Sequence, residues 1–277
     1  MKTILVATNY SAEADNAINY AASLAKYTNS KMVLFNSFEL SVHALNTLLP
    51  VSIIDELYGA NKERLKKIAS NISSTYRIHC ESFTKRSDLK DELDYQMNRL
   101  KATLLVMGIN EARSAYEFEN TTTSIIHHAK YPILAVPTDA SFGGISKILF
   151  AFDAASIFAT NKLPLLTEVA VEFDALVQIC HVEKTIKHAG KIPGARSTFN
   201  IETLLNKVKH FYKEITEEDV LEGIEKEVEY THPDLLVMVP RRYSFWEGIR
   251  HKSKTLKMVR RTHIPLLTLP NPEWNLN

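Results

Sequence analysis

The chain has 277 residues, enough for two domains of roughly 100–150 residues that each bury a core. Its 33 Lys and Arg nearly balance its 32 Asp and Glu, so no overall charge favours nucleic acid or an anionic membrane as a partner. Two cysteines, Cys80 and Cys180, cannot form a disulfide framework and predict reduced, mostly buried thiols. No signal-peptide core precedes the first strand and no apolar run approaches the roughly 18 residues of a membrane span, so we expect a soluble, cytoplasmic protein.

The first half of the chain alternates short apolar runs with helical patterns. Ile4 to Ala7 predicts a buried strand, and Ser11 predicts the cap of a helix whose alanines follow the 3.6-residue period. Further strands are expected at 31–35, 76–83, 104–107 and 133–136. Further helices are expected at 53–72, 87–100 and 122–129, the first with Leu57, Leu65, Ile68 and Ala69 on its apolar face.

The second half repeats this order of elements. Strands are expected at 147–152, 175–181, about 210–215, 235–239 and 266–269. Helices are expected at about 161–171, 201–209, 216–230 and 253–262. A Gly- and Ser-containing stretch at 139–145 reads as a linker between the halves.

Three segments of the first half return in the same order in the second. Lys2–Asn9 returns as Lys147–Asp153, Thr103–Met107 as Asp234–Met238, and Tyr131–Pro137 as Ile264–Pro270. Three ordered matches are hard to produce by chance, so one fold is used twice. We assign the domains to residues 1–138 and 146–277.

Strands that alternate with helices predict the fold class. Such a pattern implies right-handed crossovers and a parallel sheet, so we predict an α/β protein with two tandem, doubly wound, five-stranded, Rossmann-like domains. In these sheets ligands bind beyond the carboxyl ends of the strands, where the strand order reverses. We therefore expect any site in the loops after the first and fourth strands of each half.

These landmarks resemble the universal stress protein (UspA) superfamily in its tandem, two-domain form. The similar stretches of the first half are Ile4–Ser11, Leu104–Gly108 and His128–Val136. Those of the second half are Ile148–Asp153, Asp234–Met238 and Thr262–Leu269. The resemblance covers nearly the whole chain, although the middle third of each half is generic.

The resemblance also implies how the two domains associate. Domains of this family pair along their last strands, so Pro132–Val136 and Pro265–Leu269 are expected to pair and make an intrachain pseudo-dimer. A homodimer of the whole chain would then use other surfaces.

Family members that bind ATP carry two features after the strands. The first is an Asp at the end of the first strand, near the adenine. The second is a Gly-x2-Gly-x9-Gly-Ser/Thr loop after the fourth strand. Glycines let backbone N–H groups approach the phosphates, while the hydroxyl and the helix N-terminus stabilise their negative charge.

The first half keeps only part of this pattern. Asn9 stands at the Asp position, Gly108 begins the loop and Glu111 replaces the second glycine. Counting back from Pro132 puts Glu119 and Asn120 at the last glycine and the hydroxyl, whereas counting forward puts Thr121 and Thr122 there. Acidic side chains repel phosphate, so we do not expect this half to bind ATP in the usual pose.

The second half keeps a different part. Asp153 is retained, but Val239 replaces the first glycine, and Lys252 and Ser253 fall on the last glycine and the hydroxyl. With Arg241 and Arg242 in the same loop, Ser253 at a helix start predicts an anion site. A basic docking surface would fit this loop equally well.

We therefore predict a non-catalytic stress-response or ligand-sensing module with degenerate nucleotide loops. We assign it no catalytic residue, and no metal site because neighbouring residues of a strand, such as Cys180 and His181, face opposite ways. Its expected ligand is a small anion or a nucleotide. The alternative is a protein that binds ATP or AMP through Asp153 and Ser253, with at most slow ATPase activity. A nucleotide-activating enzyme of the ATP-pyrophosphatase type would need a Ser-Gly-Gly-x-Asp-Ser loop, which neither half contains.

Overall fold

The computed structural model describes residues 2–38, 50–110, 121–152, 163–184, 205–239, 254–259 and 261–270. The chain divides into two compact units, Met1–Gly108 and Ile109–Asn277. The domain boundaries predicted from the sequence remain a prediction. Of the helices in the described ranges, none is both long enough and apolar enough to cross a membrane.

The first unit contains a parallel sheet of four described strands. They are β1 (Thr3–Ala7), β2 (Lys31–Ser37), β3 (Cys80–Lys85) and β4 (Leu104–Ile109), in the order β3-β2-β1-β4. The chain runs outward from β1 to β3 and returns to the other side of β1, so the strand order reverses between β1 and β4. Residues 4–7 of β1 are all buried, as expected for a strand covered on both faces. This confirms the α/β class.

Three helices in the described part of the first unit connect these strands. They are α1 (Ala12–Tyr27), α2 (Val51–Tyr76) and α3 (Leu89–Arg99). The Ser11 hydroxyl accepts a hydrogen bond from the Ala14 backbone, which confirms the predicted cap.

Two details of α2 differ from the sequence predictions. Residue 76 was expected to begin a strand, but α2 continues to Tyr76 and ends at Arg77, whose left-handed backbone has φ of 56°. β3 therefore begins only at Cys80. Leu57, expected on the apolar face, is 45% exposed, because only the second half of α2 buries side chains (Leu65, Ala69 and Ile72).

The second unit repeats the arrangement. Its strands are β5 (Ile133–Pro137), β6 (Lys147–Phe152), β7 (Leu176–Lys184), β8 (His210–Glu217), β9 (Leu235–Met238) and β10 (Leu266–Thr268). The helices in its described part are α4 (Thr121–His128), α5 (Pro164–Glu172), α6 (Val220–Thr231) and α7 (Lys254–Val259). The strands follow the order β5-β10-β9-β6-β7-β8, and all neighbours are parallel except β5 and β10.

β5 and β10 pair antiparallel, with Leu134 opposite Leu267. These are the two strands that the sequence predicts to pair. The pseudo-dimer of two whole domains remains a prediction.

The helix predicted at 201–209 is wrong for the part that the structure describes. Residues 205–209 form a turn, in which the Val208 backbone donates to the Leu205 carbonyl at 2.9 Å. Both side chains are buried, so the apolar spacing that suggested a helix anchors a single turn before β8. Residues 201–204 lie outside the described residues.

Candidate functional site

Asn9 lies directly beyond the carboxyl end of β1, beside the point where the strand order reverses. Its side-chain oxygen accepts from the Ser11 backbone at 3.1 Å, and the Thr8 hydroxyl accepts from the Tyr10 backbone at 3.0 Å. These local bonds fold the chain sharply from β1 into α1. Asn9 is exposed, so its amide group stands at the edge of the sheet where a ligand is expected.

Tyr10 is a residue of this loop that the sequence analysis missed. Its φ of 62° is left-handed, which is rare for a bulky side chain and is often found at functional sites. Its hydroxyl donates to the Asn61 side-chain oxygen at 2.9 Å, and the Arg64 guanidinium lies 4.0 Å from the ring centroid. Burial raises the pKa of Tyr10 to about 12, against the opposing effect of Arg64, so the phenol stays protonated and ties the loop to α2.

Gly108, near the end of β4, packs against the first turn of α1. A Cβ at this position would lie 2.3 Å from the Glu13 carbonyl oxygen and 2.8 Å from the Ala14 nitrogen. The packing of β4 on α1 therefore requires a glycine, independently of any ligand. Its role in a phosphate loop remains a prediction.

Buried polar residues lie at the carboxyl ends of β2 and β3. Asn36 and Thr84 are opposite each other in the parallel register, so their side chains project from the same face of the sheet. Asn36 is 4% exposed and Thr84 is 6% exposed. The Asn36 amide donates to the Thr8 carbonyl at 2.7 Å, which links this pair to the end of β1.

We call Asn36 and Thr84 the polar cluster. Two buried side-chain atoms of the cluster, Asn36 Oδ1 and Thr84 Oγ1, have no hydrogen-bond partner among the described residues. Leaving a buried polar group unpaired costs about 1–3 kcal/mol, so most such groups in native proteins are paired. The polar cluster is therefore suited to hydrogen-bonding a small molecule or water.

Aromatic side chains lie beside the polar cluster. The Tyr58 hydroxyl of α2 donates to the Thr84 carbonyl at 2.9 Å, and the Phe38 and Tyr58 rings meet edge to face at 5.6 Å. The Arg86 guanidinium lies 4.3 Å from the Tyr58 ring centroid and pairs with Asp55 at 2.6 Å. These contacts fix the start of α2 over the ends of β2 and β3.

Comparison with known proteins shows the family. The model of the universal stress protein family matches residues 1–137. Through its first half, the chain belongs to the universal stress protein family. No curated protein matches the chain significantly.

Two solved structures show that the fold resemblance extends over the whole chain of this universal stress protein. One is a universal stress protein from Archaeoglobus fulgidus DSM 4304, with a TM-score of 0.76 and 16% identity, covering 97% of this chain and 96% of that one. The other is a functionally unknown protein from Pseudomonas aeruginosa PAO1, with a TM-score of 0.60 and 15% identity, covering 99% of this chain and 94% of that one. At such identities the likeness shows the fold alone.

In the second unit of this universal stress protein, the strand order reverses between β6 and β9. The two strands are parallel neighbours, with Ala151 opposite Met238, and they end at Phe152 and Met238. The predicted anion-site residues follow these strands in the sequence but lie outside the described residues: Asp153, Arg241, Arg242, Lys252 and Ser253. Their roles remain predictions.

The remaining predicted site residues belong to the loop before α4. Asn120 lies outside the described residues. Thr121 and Thr122 begin α4, but their side chains lie outside the described part of the chain. Of the ten predicted binding residues, the structure therefore describes the surroundings of Asn9 and Gly108.

Proposed function

We propose that this universal stress protein is a ligand-sensing module of a cytoplasmic stress response. It binds a small polar molecule at the carboxyl ends of β1 to β3 and does not turn that molecule over. The observation that carries the proposal is the polar cluster, in which Asn36 Oδ1 and Thr84 Oγ1 are buried without a described partner. A ligand with N–H or O–H donors would satisfy the Asn36 oxygen and the Thr84 hydroxyl.

The position of the polar cluster supports this proposal. It lies at the carboxyl edge of a parallel sheet, beside the strand from which the order reverses, where ligands of such folds bind. The loop next to it contains Asn9 and the left-handed Tyr10. Backbone strain of this kind costs of the order of 1–3 kcal/mol and persists where the surrounding structure enforces it, often at ligand sites.

The chemistry of the first half favours a neutral polar ligand over ATP. The polar cluster and Asn9 present amide and hydroxyl groups, which both donate and accept hydrogen bonds. The resemblance places Glu111 and Glu119 where phosphates would lie, and their charge opposes a triphosphate. Binding without turnover is therefore the proposed activity of this half.

Native mass spectrometry of protein purified without added ligand tests the proposal. We expect a co-purified small molecule on the wild-type chain and its loss from Thr84→Val, which keeps the shape of the side chain but removes the hydroxyl. Thr103→Val is the matched control, because the Thr103 hydroxyl donates to the Thr3 carbonyl at the opposite end of the sheet. A bare wild-type chain, or the same adduct on Thr84→Val, would refute the proposal.

A second candidate function is ATP or AMP binding in the second half. The favouring observation is that β6 and β9 are neighbours, so the segments that begin at Asp153 and Val239 follow the ends of adjacent strands. Calorimetry with ATP and AMP separates the candidates. Micromolar binding that Asp153→Ala abolishes would favour this function, whereas heats that Asp153→Ala leaves unchanged would exclude a site centred on Asp153.

A further inference from the structure

A groove runs between α2 and the outer edge of β3. Its volume is about 730 Å³, and its lining includes Lys62, Lys66, Ala69, Ser73, Cys80 and Ser82. We call it the edge groove. It exists because α2 turns small side chains towards the strand, and these leave the space that larger residues would fill.

β3 is the outermost of the described strands in the first unit. The Met32 backbone donates to the His79 carbonyl at 2.9 Å, and the Phe38 backbone donates to the Lys85 carbonyl at 2.7 Å. Backbone groups alternate in direction along a strand, so those of Cys80, Ser82 and Thr84 point outward. The Thr84 carbonyl accepts from the Tyr58 hydroxyl of α2, which agrees with its pointing away from β2. The main chain of Cys80 and Ser82 therefore lines the edge groove.

The edge groove carries positive charge. Lys62 and Lys66 are exposed, one helical turn apart, and no ion pair joins either of them to another described residue. Glu81, the acidic residue of the lining, already pairs with Lys31 and His79 at 2.8 Å each. Hydrogen bonds from Lys31 and then His79 hold the pKa of Glu81 below its usual range, so this carboxylate stays ionised and already has partners outside the groove.

The spacing of the lysines matches an extended chain. Residues four apart on a helix are separated by about 6 Å along its axis. Alternate residues of a β-strand, which face the same side, repeat at about 6.6 Å. A strand lying in the groove can therefore place two acidic side chains, at positions i and i+2, opposite Lys62 and Lys66.

We propose that the edge groove binds an extended acidic segment of a partner protein, which adds to the sheet as a strand beside β3. The main chain of the segment pairs with Cys80 and Ser82, and its acidic side chains pair with Lys62 and Lys66. Exposed edges invite such pairing, and proteins usually block them. Cys80 contributes only its backbone, because burial and the neighbouring Glu81 raise the pKa of its thiol to about 12.

Fluorescence anisotropy with a labelled peptide that alternates Glu with Val tests whether the charges of Lys62 and Lys66 contribute to binding. We expect Lys62→Glu/Lys66→Glu to weaken its binding at least about tenfold, the equivalent of 1.4 kcal/mol. Lys67→Glu/Lys90→Glu is the matched control, since both lysines are exposed and neither lines the groove. A peptide that alternates Lys with Val should not bind. Equal binding of the acidic peptide by both double variants would overturn the proposal.

A second variant tests the strand addition. Ser82→Pro removes an outward N–H group while leaving the β2 ladder intact, and proline is tolerated on edge strands. We expect it to abolish peptide binding although both lysines remain. Retained binding would reduce the site to a charged surface and overturn the proposal. So would a peptide-free dimer that Ser82→Pro dissociates, because a second copy of the chain would then occupy the groove.

Discussion

The two units place opposite chemistry at equivalent positions of their sheets. In the first unit, Phe35 of β2 and Phe83 of β3 are register partners and stack at 4.9 Å beneath α3. In the second unit, the corresponding register partners are Cys180 of β7 and Lys213 of β8. The correspondence follows from β1 and β6, because Ala7 is opposite Phe35 and Ala151 is opposite Cys180.

The covering helices differ in the same way. Gln96 of α3 and Glu227 of α6 are each the eighth residue after the capping aspartate, Asp88 or Asp219. Gln96 is 1% exposed and accepts from Arg99 at 2.7 Å. Glu227 is 4% exposed, pairs with Lys213 at 2.8 Å and accepts from Gln178 at 2.6 Å.

The fold does not depend on the residues at these positions. The same scaffold accommodates an aromatic stack in one unit and, in the other, an ion pair between a buried carboxylate and a partly exposed lysine. Both units share the alternation of apolar strands and helices, so this pattern determines the fold. The residues beneath α3 and α6 differ between the units without changing it. Variants that exchange or remove these contacts measure how much each contact stabilises its own unit.

We expect the greatest loss of stability from a substitution at Gly108, whose counterpart in the second unit is Val239. Gly108→Ala would place a Cβ 2.3 Å from the Glu13 carbonyl oxygen and so displace α1 from β4. We expect the free energy of unfolding, measured by urea denaturation, to fall by about 3 kcal/mol or more. Gly59→Ala is the control, since its Cβ meets open space within α2, and it should stabilise by about 0.5–1 kcal/mol. A neutral Gly108→Ala would show that β4 does not need a glycine.

Breaking the ion pair of the second unit should cause the second-largest loss of stability. Glu227→Ala leaves the Lys213 ammonium and the Gln178 amide without their acceptor, so we expect a loss of about 2–3 kcal/mol in urea denaturation, reduced because Lys213 is partly exposed. Glu227→Gln, which copies Gln96 of the first unit, should lose only about 1 kcal/mol. Equal losses in the two variants would mean that the charge, and not the hydrogen bonding, stabilises this position.

Alkaline pH should destabilise the second unit through Cys180. The corresponding residue of the first unit, Phe35, does not titrate. Burial, and then Glu227, raise the pKa of the Cys180 thiol from 9.0 to about 12. The thiol therefore contributes stability that is complete below pH 9 and is lost as the pH rises towards 12. Relative to Cys180→Val, wild-type protein should lose at most about 1.4 kcal/mol per pH unit in this window. A constant difference between the two proteins would contradict the shifted pKa.

The smallest effect is expected at Thr84, in the polar cluster of the first unit. Thr84→Val removes a buried hydroxyl without a described partner, so ligand-free protein should gain about 1 kcal/mol in urea denaturation. When both proteins are assayed as purified, the variant should instead be less stable than the wild type, because it has lost the ligand that stabilises the wild-type protein. A loss of stability in ligand-free protein would mean that the hydroxyl has a structural partner.

The fold could be predicted because its signals are local. Apolar runs such as 4–7 mark buried strands, and Ser11 and Asp88 cap helices through bonds to residues two or three positions away. The errors occur where a single backbone angle decides, as at Arg77, which ends α2 and delays β3. The prediction of a helix at 201–209 was wrong for a similar reason. A single turn buries Leu205 and Val208 as well as a helix would.

The candidate site was less predictable because its residues meet through strand register. Asn36 and Thr84 are distant in sequence and become neighbours only when β2 and β3 align. The available signal was a polar residue, Asn36, that directly follows the apolar run 32–35 of β2. The left-handed backbone of Tyr10 has no sequence signature, because its support comes from Asn61 and Arg64 on α2. The pair of Lys213 and Glu227 likewise depends on register and helix packing.

The most direct test of the proposed ligand site is a high-resolution crystal structure of the protein purified without added ligand. We predict electron density larger than a water molecule, with polar atoms about 2.7–3.2 Å from Asn36 Oδ1 and Thr84 Oγ1. Only water at these atoms, or partner side chains that satisfy both of them, would contradict the proposal that the first unit senses a small polar ligand at the ends of β1 to β3.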